Sequence, residues 1–283
     1  MKHEKIHGPS RSALTIKTLI GGVAAAALLG LSINAQAQTC VVSNWTSATG
    51  LADADAGTQG GSNRRYGGPC GLRVPGGGAA YVTDETPSAE GSYIARFYAY
   101  LNDAGAGQAT IFEATDGTDP RIEVVYDGAA ASGGDLILNV YDSGGAVPQP
   151  LSFTGIGTGW HSIELVWEAA ASADIRFSVN GAADVSTTVD TSGTSIVDAS
   201  LGNVDGGATG AMDFDDFDSR RISRPGRLEV GDANADDSVS AGDLGSLLGE
   251  INEVAFAPGQ PDCTEDGSVN AGDLGCILGI INS

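Results

Sequence analysis

The sequence predicts a mostly β protein, an antiparallel sandwich or barrel carrying a small α-helical C-terminal module of two loop–helix units, and three observations predict it. Up to about Ile222, short apolar-polar alternations are separated by Gly, Asn and Asp turns, with no helical segment between them. Ser223-Arg224-Pro225-Gly226-Arg227 then reads as a linker, after which the apolar period changes from two to about 3.6. Beyond the linker an acidic pattern occurs twice, 30 residues apart, with the spacing of metal ligands. These breaks divide the chain into residues 1–37, 38–222, 223–230 and 231–283.

The first segment is a secretory signal peptide in its pattern. Lys2, Lys5, Arg11 and Lys17 precede an apolar run from about Leu19 to Ile33, and Ala35-Gln36-Ala37 supplies a small-x-small cleavage site. A spanning helix takes about 20 strongly apolar residues, and this run is shorter and rich in Ala and Gly. No membrane insertion is therefore expected after cleavage, and the expected location is secreted or cell-surface. The mature chain would hold ten Arg, no Lys and 35 acids, a formal charge of −25. So acidic a chain excludes nucleic acid and anionic membrane as partners. From Glu229 onward there are 11 acids and no Lys or Arg, so that segment must find its counter-charge elsewhere. Cys40, Cys70, Cys263 and Cys276 are an even set in an oxidising compartment. Three pairings are open on paper, and the early and late grouping favours Cys40–Cys70 and Cys263–Cys276.

Strands are expected near Ser92–Leu101, Thr110–Ala114, Arg121–Tyr126, Asp135–Tyr141, His161–Trp167, Asp174–Val179, Ile196–Leu201 and Gly210–Asp218. In the fifth of these, His161, Ile163, Leu165 and Trp167 share a core face while Ser162, Glu164 and Glu168 are expected to meet water. Asn180-Gly181 after Phe177 and Val179 tolerates the positive φ of a tight hairpin turn. Three stretches, Gly159 to Trp167, Phe177-Ser178-Val179-Asn180-Gly181 and Asp213-Phe214-Asp215-Asp216-Phe217-Asp218, resemble concanavalin A-like, laminin G-type jelly rolls over roughly residues 75–222. The resemblance implies a jelly-roll sandwich that binds glycans or proteins, with some relatives acting as glycoside hydrolases or lyases.

In the tail, oxygen-bearing side chains at loop positions 1, 3 and 5, a carbonyl at 7 and an acid at 12 would wrap one hard cation. The first site would use Asp232, Asn234, Asp236, the carbonyl of Ser238, Ser240 through water, and Asp243. The second would use Asp262, Thr264, Asp266, the carbonyl of Ser268, Asn270 through water, and Asp273. Two calcium ions are expected, because three carboxylates crowded into one small loop repel each other without a cation. A helical stripe follows each loop: Leu244, Leu247, Leu248 and Ile251, then Leu274, Ile277, Leu278 and Ile281. The two stripes are expected to pack together, with Gly245 and Gly249, matched by Gly275 and Gly279, allowing close approach. The acid at position 12 is Asp rather than Glu, no helix leads in, and the entry is Gly-Asp-x-Asn, so the tail resembles a type I dockerin. The loops depart from that family at position 6, where Asp237 replaces glycine, and at position 3, where Thr264 is a weak ligand. The resemblance implies a cohesin-like partner bound through hydroxyls at positions 10 and 11 and basic residues along the helices. Here those positions are Ala241-Gly242 and Ala271-Gly272, and the tail has no basic residue.

No catalytic residue is assigned. His161 is the only histidine after residue 37 and falls on the core face, which speaks against a Ser-His-Asp triad or a His-bound zinc. Glycoside hydrolysis needs two carboxyl groups about 5–5.5 Å or 6.5–9.5 Å apart, whereas Glu164 and Glu168, four residues along one strand, are about 13 Å apart. Asp213, Asp215, Asp216 and Asp218 read as a solvated strand facing Arg220 and Arg221. Arg96, Tyr98 and Tyr100 share one strand face and are the candidate glycan contacts. The expected function is non-catalytic binding of an extracellular glycan or protein; a part in polysaccharide breakdown and a surface structural role are the alternatives.

Overall fold

Alternating segments of this kind pair into sheets when each can bury one face. A computed structural model describes residues 40–57 and 64–283; the signal-peptide segment lies outside them. Among the described residues, fourteen strands form two seven-stranded antiparallel sheets. In chain order they are β1 (Ser47–Thr49), β2 (Ala56–Gly57), β3 (Gly71–Val74), β4 (Ala80–Asp84), β5 (Ser92–Tyr100), β6 (Gln108–Thr115) and β7 (Pro120–Asp127). There follow β8 (Asp135–Val140), β9 (Leu151–Thr154), β10 (Trp160–Glu168), β11 (Ala173–Val179), β12 (Val185–Val189), β13 (Asp198–Asn203) and β14 (Met212–Arg220). The first sheet runs β1-β4-β13-β6-β7-β8-β9 and the second β12-β11-β10-β5-β14-β3-β2. Non-sequential neighbours in both sheets give the crossovers of a jelly-roll-like sandwich.

The core lies between the sheets. From β5 it takes Tyr93, Ala95, Phe97 and Ala99, and from β10 Ile163, Leu165 and Trp167, with Phe112, Phe177 and Phe214 in the same core and Phe112 stacked on Phe97. Asn180 and Gly181 take φ of 55° and 71°, the left-handed pair of the expected tight turn. The outer face of β10 corrects one expectation: Ser162 and Glu164 are buried rather than solvated. The cause is residues 224–228, which lie across the second sheet. The Glu164 carboxylate pairs with Arg224 and accepts from Gly226 N at 2.8 Å, and Leu228 N donates to Tyr98 Oη at 2.8 Å.

Both disulfides form as the grouping favours, Cys40–Cys70 and Cys263–Cys276. Two helices close the chain, α1 (Ala241–Ile251) and α2 (Ala271–Ile281). Each starts at a capping box: Ser240 and Asn270 accept from the amides of Gly242 and Gly272, while Asp243 and Asp273 accept from Ser240 N and Asn270 N. Leu247 and Ile277 meet in a small core with Ala233, Ala257 and Cys263. The stripes pack only in part, since Leu248 and Leu278 remain 44% and 45% exposed. The helical glycines do not serve close approach. A Cβ on Gly245, Gly275 or Gly279 would meet nothing within 4 Å, and one on Gly249 only Ala255 O at 3.9 Å.

Candidate functional site: two acidic loops seated on an aromatic sheet face

The carboxylates of the two loops are held by repeated backbone hydrogen bonds. In the first, Asp232 accepts from Asp236 N at 3.1 Å and Asp237 N at 2.9 Å, and Asp243 accepts from Asn234 N at 2.9 Å and Ser240 N at 2.7 Å. In the second, Asp262 accepts from Asp266 N at 3.1 Å and Gly267 N at 2.8 Å, and Asp273 accepts from Thr264 N at 2.9 Å and Asn270 N at 2.8 Å. Asp236 and Asp266 each accept from the amide two residues on, Ser238 and Ser268. Position 6 is left-handed in both, at φ 65° for Asp237 and 86° for Gly267, and Asp is among the few side chains that take such a φ readily.

The donor set is oxygen only, which fits a hard divalent cation. Asp232, Asp236 and Asp243 bring one carboxylate oxygen each within 4.8 Å of one another, the one such group among the described residues. Asn234 Oδ1 is buried there with no hydrogen-bond partner, an acceptor whose desolvation nothing offsets. In the second loop Thr264 Oγ1 donates to Asp273 Oδ1 at 2.9 Å and lies 3.4 Å from Asp262 Oδ1, so the position 3 hydroxyl is engaged by the carboxylates of positions 12 and 1. Burial pushes the Asp262 carboxyl up to about 7, with Asp273 and Asp266 adding to the shift. Ser238, Ser240, Ser268 and Asn270 stand on the loops where the spacing places them.

The missing counter-charge comes from the sandwich and the linker. Arg65, on the chain before β3, is 3% exposed and pairs with Glu250 of α1, which also accepts from Ala257 N at 2.9 Å. Glu265, at position 4 of the second loop, accepts from Tyr66 Oη at 2.6 Å and pairs with Arg227, and its carbonyl accepts from Trp160 N at 2.9 Å. Gly159 and Gly267 are required by this contact. A Cβ at either would lie 2.5 Å from Glu265 O or from the Tyr100 ring, respectively. The sequence contains one hint of the seat, since Glu265 stands where the first loop has Ala235. Arg65, Tyr66 and Glu250 follow no motif and could not be read.

The seat also corrects the expected glycan contacts. Arg96, Tyr98 and Tyr100 do share the outer face of β5, but they are 6%, 0% and 7% exposed beneath the tail and residues 224–228. Tyr98 stacks on Tyr66 at 3.7 Å, Trp160 packs edge-on against Tyr66 and Tyr100, and Arg96 donates to Gly226 O and Asp216 O. No ligand reaches that face while the tail is seated. Of the Asp213–Asp218 cluster, only the Asp218–Arg220 end is solvated as expected. Asp213 is fully buried between Arg64 and Arg73, at 3.1 and 3.0 Å. The Asp215 carboxylate accepts from Tyr66 N, Gly67 N and Asp216 N, and burial beside Asp216 pushes its carboxyl up. Asp215 therefore anchors the strip that carries Arg65 and Tyr66.

No protein-family profile and no curated protein matches the sequence. Among solved structures, the receptor-binding domain of botulinum neurotoxin type G is similar at 14% identity and a TM-score of 0.41, over 59% of this chain and 44% of that one. The alginate lyase Aly36B, in complex with an alginate tetrasaccharide, is similar at 9% identity and a TM-score of 0.44, over 65% of this chain and 91% of that one. This chain spans less than half the length of the neurotoxin domain. Likenesses this distant transfer no activity.

Proposed function

We propose that the protein is exported and acts as a non-catalytic binder of extracellular glycan, with a dockerin-like tail that holds two calcium ions. The observation that carries the calcium reading is the repetition of backbone-to-carboxylate hydrogen bonds at positions 1, 5 and 12 of both loops, with Asn234 Oδ1 left unpartnered in the first. Asp232, Asn234, Asp236, Ser238, Ser240 and Asp243 would hold one ion, and Asp262, Thr264, Asp266, Ser268, Asn270 and Asp273 the other. Each ion would neutralise carboxylates that otherwise repel, so calcium rigidifies the tail on its seat. The two disulfides support export, and no helix among the described residues is long and apolar enough to cross a membrane.

A cohesin-like partner has little support. Positions 10 and 11 lack hydroxyls, and the second loop is engaged with Tyr66, Trp160 and Arg227 of its own chain. The hydrolase reading loses the Glu164 and Glu168 pair that the sequence offered, because Glu164 is committed to Arg224 and Gly226. The test is to incubate residues 38–283 with a panel of polysaccharides in calcium, measuring protein depletion and released reducing ends together. Depletion without release is expected. Release of reducing ends would overturn the non-catalytic reading, and neither signal would overturn the glycan reading.

A further inference from the structure

The tail and residues 224–228 cover β5 and β10 of the second sheet, whereas the outer face of the first sheet carries a polar row that the sequence does not reveal, half-exposed at Thr83, Glu113, Glu123 and Asn139 and buried at Ser200. Thr83 opposes Ser200, Ser200 opposes Glu113, Glu113 opposes Glu123, and Glu123 opposes Asn139. The row crosses five neighbouring strands, β4, β13, β6, β7 and β8, a span of about 19 Å at the usual strand spacing. It faces outward because the residues flanking it along the chain, Phe112 and Ala114, Ile122 and Val124, Leu138 and Val140, are buried in the core.

The two glutamates are the unusual feature. Like charges directly opposite on paired strands are destabilising, yet no cation pairs with either among the described residues. The Glu113 carboxylate accepts no hydrogen bond there; half-burial, Glu123, Asp198 and Asp205 all push its carboxyl up. Glu123 accepts from Tyr141 Oη at 2.7 Å. Thr83 and Ser200 share one hydrogen bond at 2.9 Å between two hydroxyls, so one proton remains to donate. The Tyr141 ring continues the row into a cleft of about 340 Å³ beside Arg121 and Ser143.

An ion does not explain this face. Three acid oxygens converge within 4.8 Å only in the first tail loop among the described residues, so these acids form a line of acceptors rather than a cage. A line of acceptors with a donor at one end and an aromatic ring at the other suits a ligand that brings many hydroxyl donors and no negative charge. We propose that the outer face of the first sheet, through Glu113, Glu123, Asn139, Tyr141 and Thr83, binds a neutral polysaccharide lying across the strands. This inference rests on the glycan-binding reading and assigns its surface. The carboxylate pair is retained at a cost in stability because sugar hydroxyls, not a protein cation, are its partners.

The test is calorimetric and electrophoretic binding of residues 38–283 to barley β-glucan, galactomannan and xylan, with alginate as the anionic control. The double variant Glu113→Gln, Glu123→Gln is measured alongside, with the Tm of both proteins. The expected result is binding to at least one neutral polysaccharide, none to alginate, and at least tenfold weaker binding in the variant at an equal or higher Tm. Unchanged binding in the variant would remove this face while leaving the glycan reading intact, whereas no binding to any polysaccharide removes both. Binding to alginate, or a lower Tm in the variant, would contradict the uncompensated pair and overturn the inference.

Discussion

The two loop–helix units share their backbone hydrogen bonds and differ in almost everything around them. The first has Asp at position 6, no cross-link, and three carboxylates converging beside an unpartnered Asn234 Oδ1. The second has Gly at position 6, a Cys263–Cys276 bridge between loop and helix, and a seat against Tyr66, Tyr100 and Trp160. Its position-3 residue, Thr264, spends its hydroxyl on Asp273. The contrast teaches that one repeated loop has been put to two uses: the first loop keeps three carboxylates converging while its unit meets the sandwich through Glu250 of its helix, and the second loop is itself seated on the sandwich.

Several substitutions would sharpen or break that contrast. The largest effect is expected at Arg65→Ala, which leaves Glu250 buried without its partner. A loss of about 3–5 kcal/mol is expected for breaking such a pair, measured by denaturant unfolding, with hydrogen exchange rising in α1 ahead of β5. A loss below about 1 kcal/mol would mean the tail is held by the aromatic seat alone. Removing the second unit's bridge with Cys263→Ala and Cys276→Ala should cost about 3 kcal/mol, the chain-entropy value for a loop of this length. Amide exchange should then accelerate in α2 and not in α1; equal acceleration would show that the units do not differ in their support.

Position 6 should respond with opposite signs. Gly267→Ala places a Cβ against the Tyr100 ring at a left-handed φ and should cost about 1–3 kcal/mol. Asp237→Gly removes a left-handed side chain and should gain about 1 kcal/mol or less, read as a small rise in Tm. The smallest effects are expected from Gly245→Ala and Gly275→Ala, each gaining up to about 1 kcal/mol from helix propensity, because nothing lies within 4 Å of the added methyl. A loss at Gly275 alone would reveal a contact specific to the second unit.

Much of the sandwich was legible because its long strands bury one face and so alternate. The expected Ser92–Leu101 and His161–Trp167 match β5 and β10 within a residue or two, and Asn180-Gly181 marks its turn through left-handed φ. Short edge strands such as β2 and β12 carry too few buried residues to alternate clearly; in β12 only Val189 is buried. The faces were legible less often than the strands. Ser162, Glu164, Arg96, Tyr98 and Tyr100 look like the solvent side of a sheet or a sugar platform, and only a distant segment covering them settles which. The matching roles of Asp232 with Asp262 and of Asp243 with Asp273 were readable from the 30-residue repeat, because a tight loop closes on its own backbone amides in the same way twice. The Arg65–Glu250 and Tyr66–Glu265 contacts join positions 185 and 199 residues apart and follow no local rule. Glu113 and Glu123 become neighbours only through strand register.

The account turns on the claim that the tail is a two-ion module, and calcium titration of residues 38–283 by calorimetry after chelator treatment tests it most directly. Two bound ions are predicted, falling to one in Asp243→Asn and to one in Asp273→Asn, with the tighter site lost in the first variant. A chain that takes up no calcium, or whose stoichiometry is unchanged by both substitutions, would contradict it.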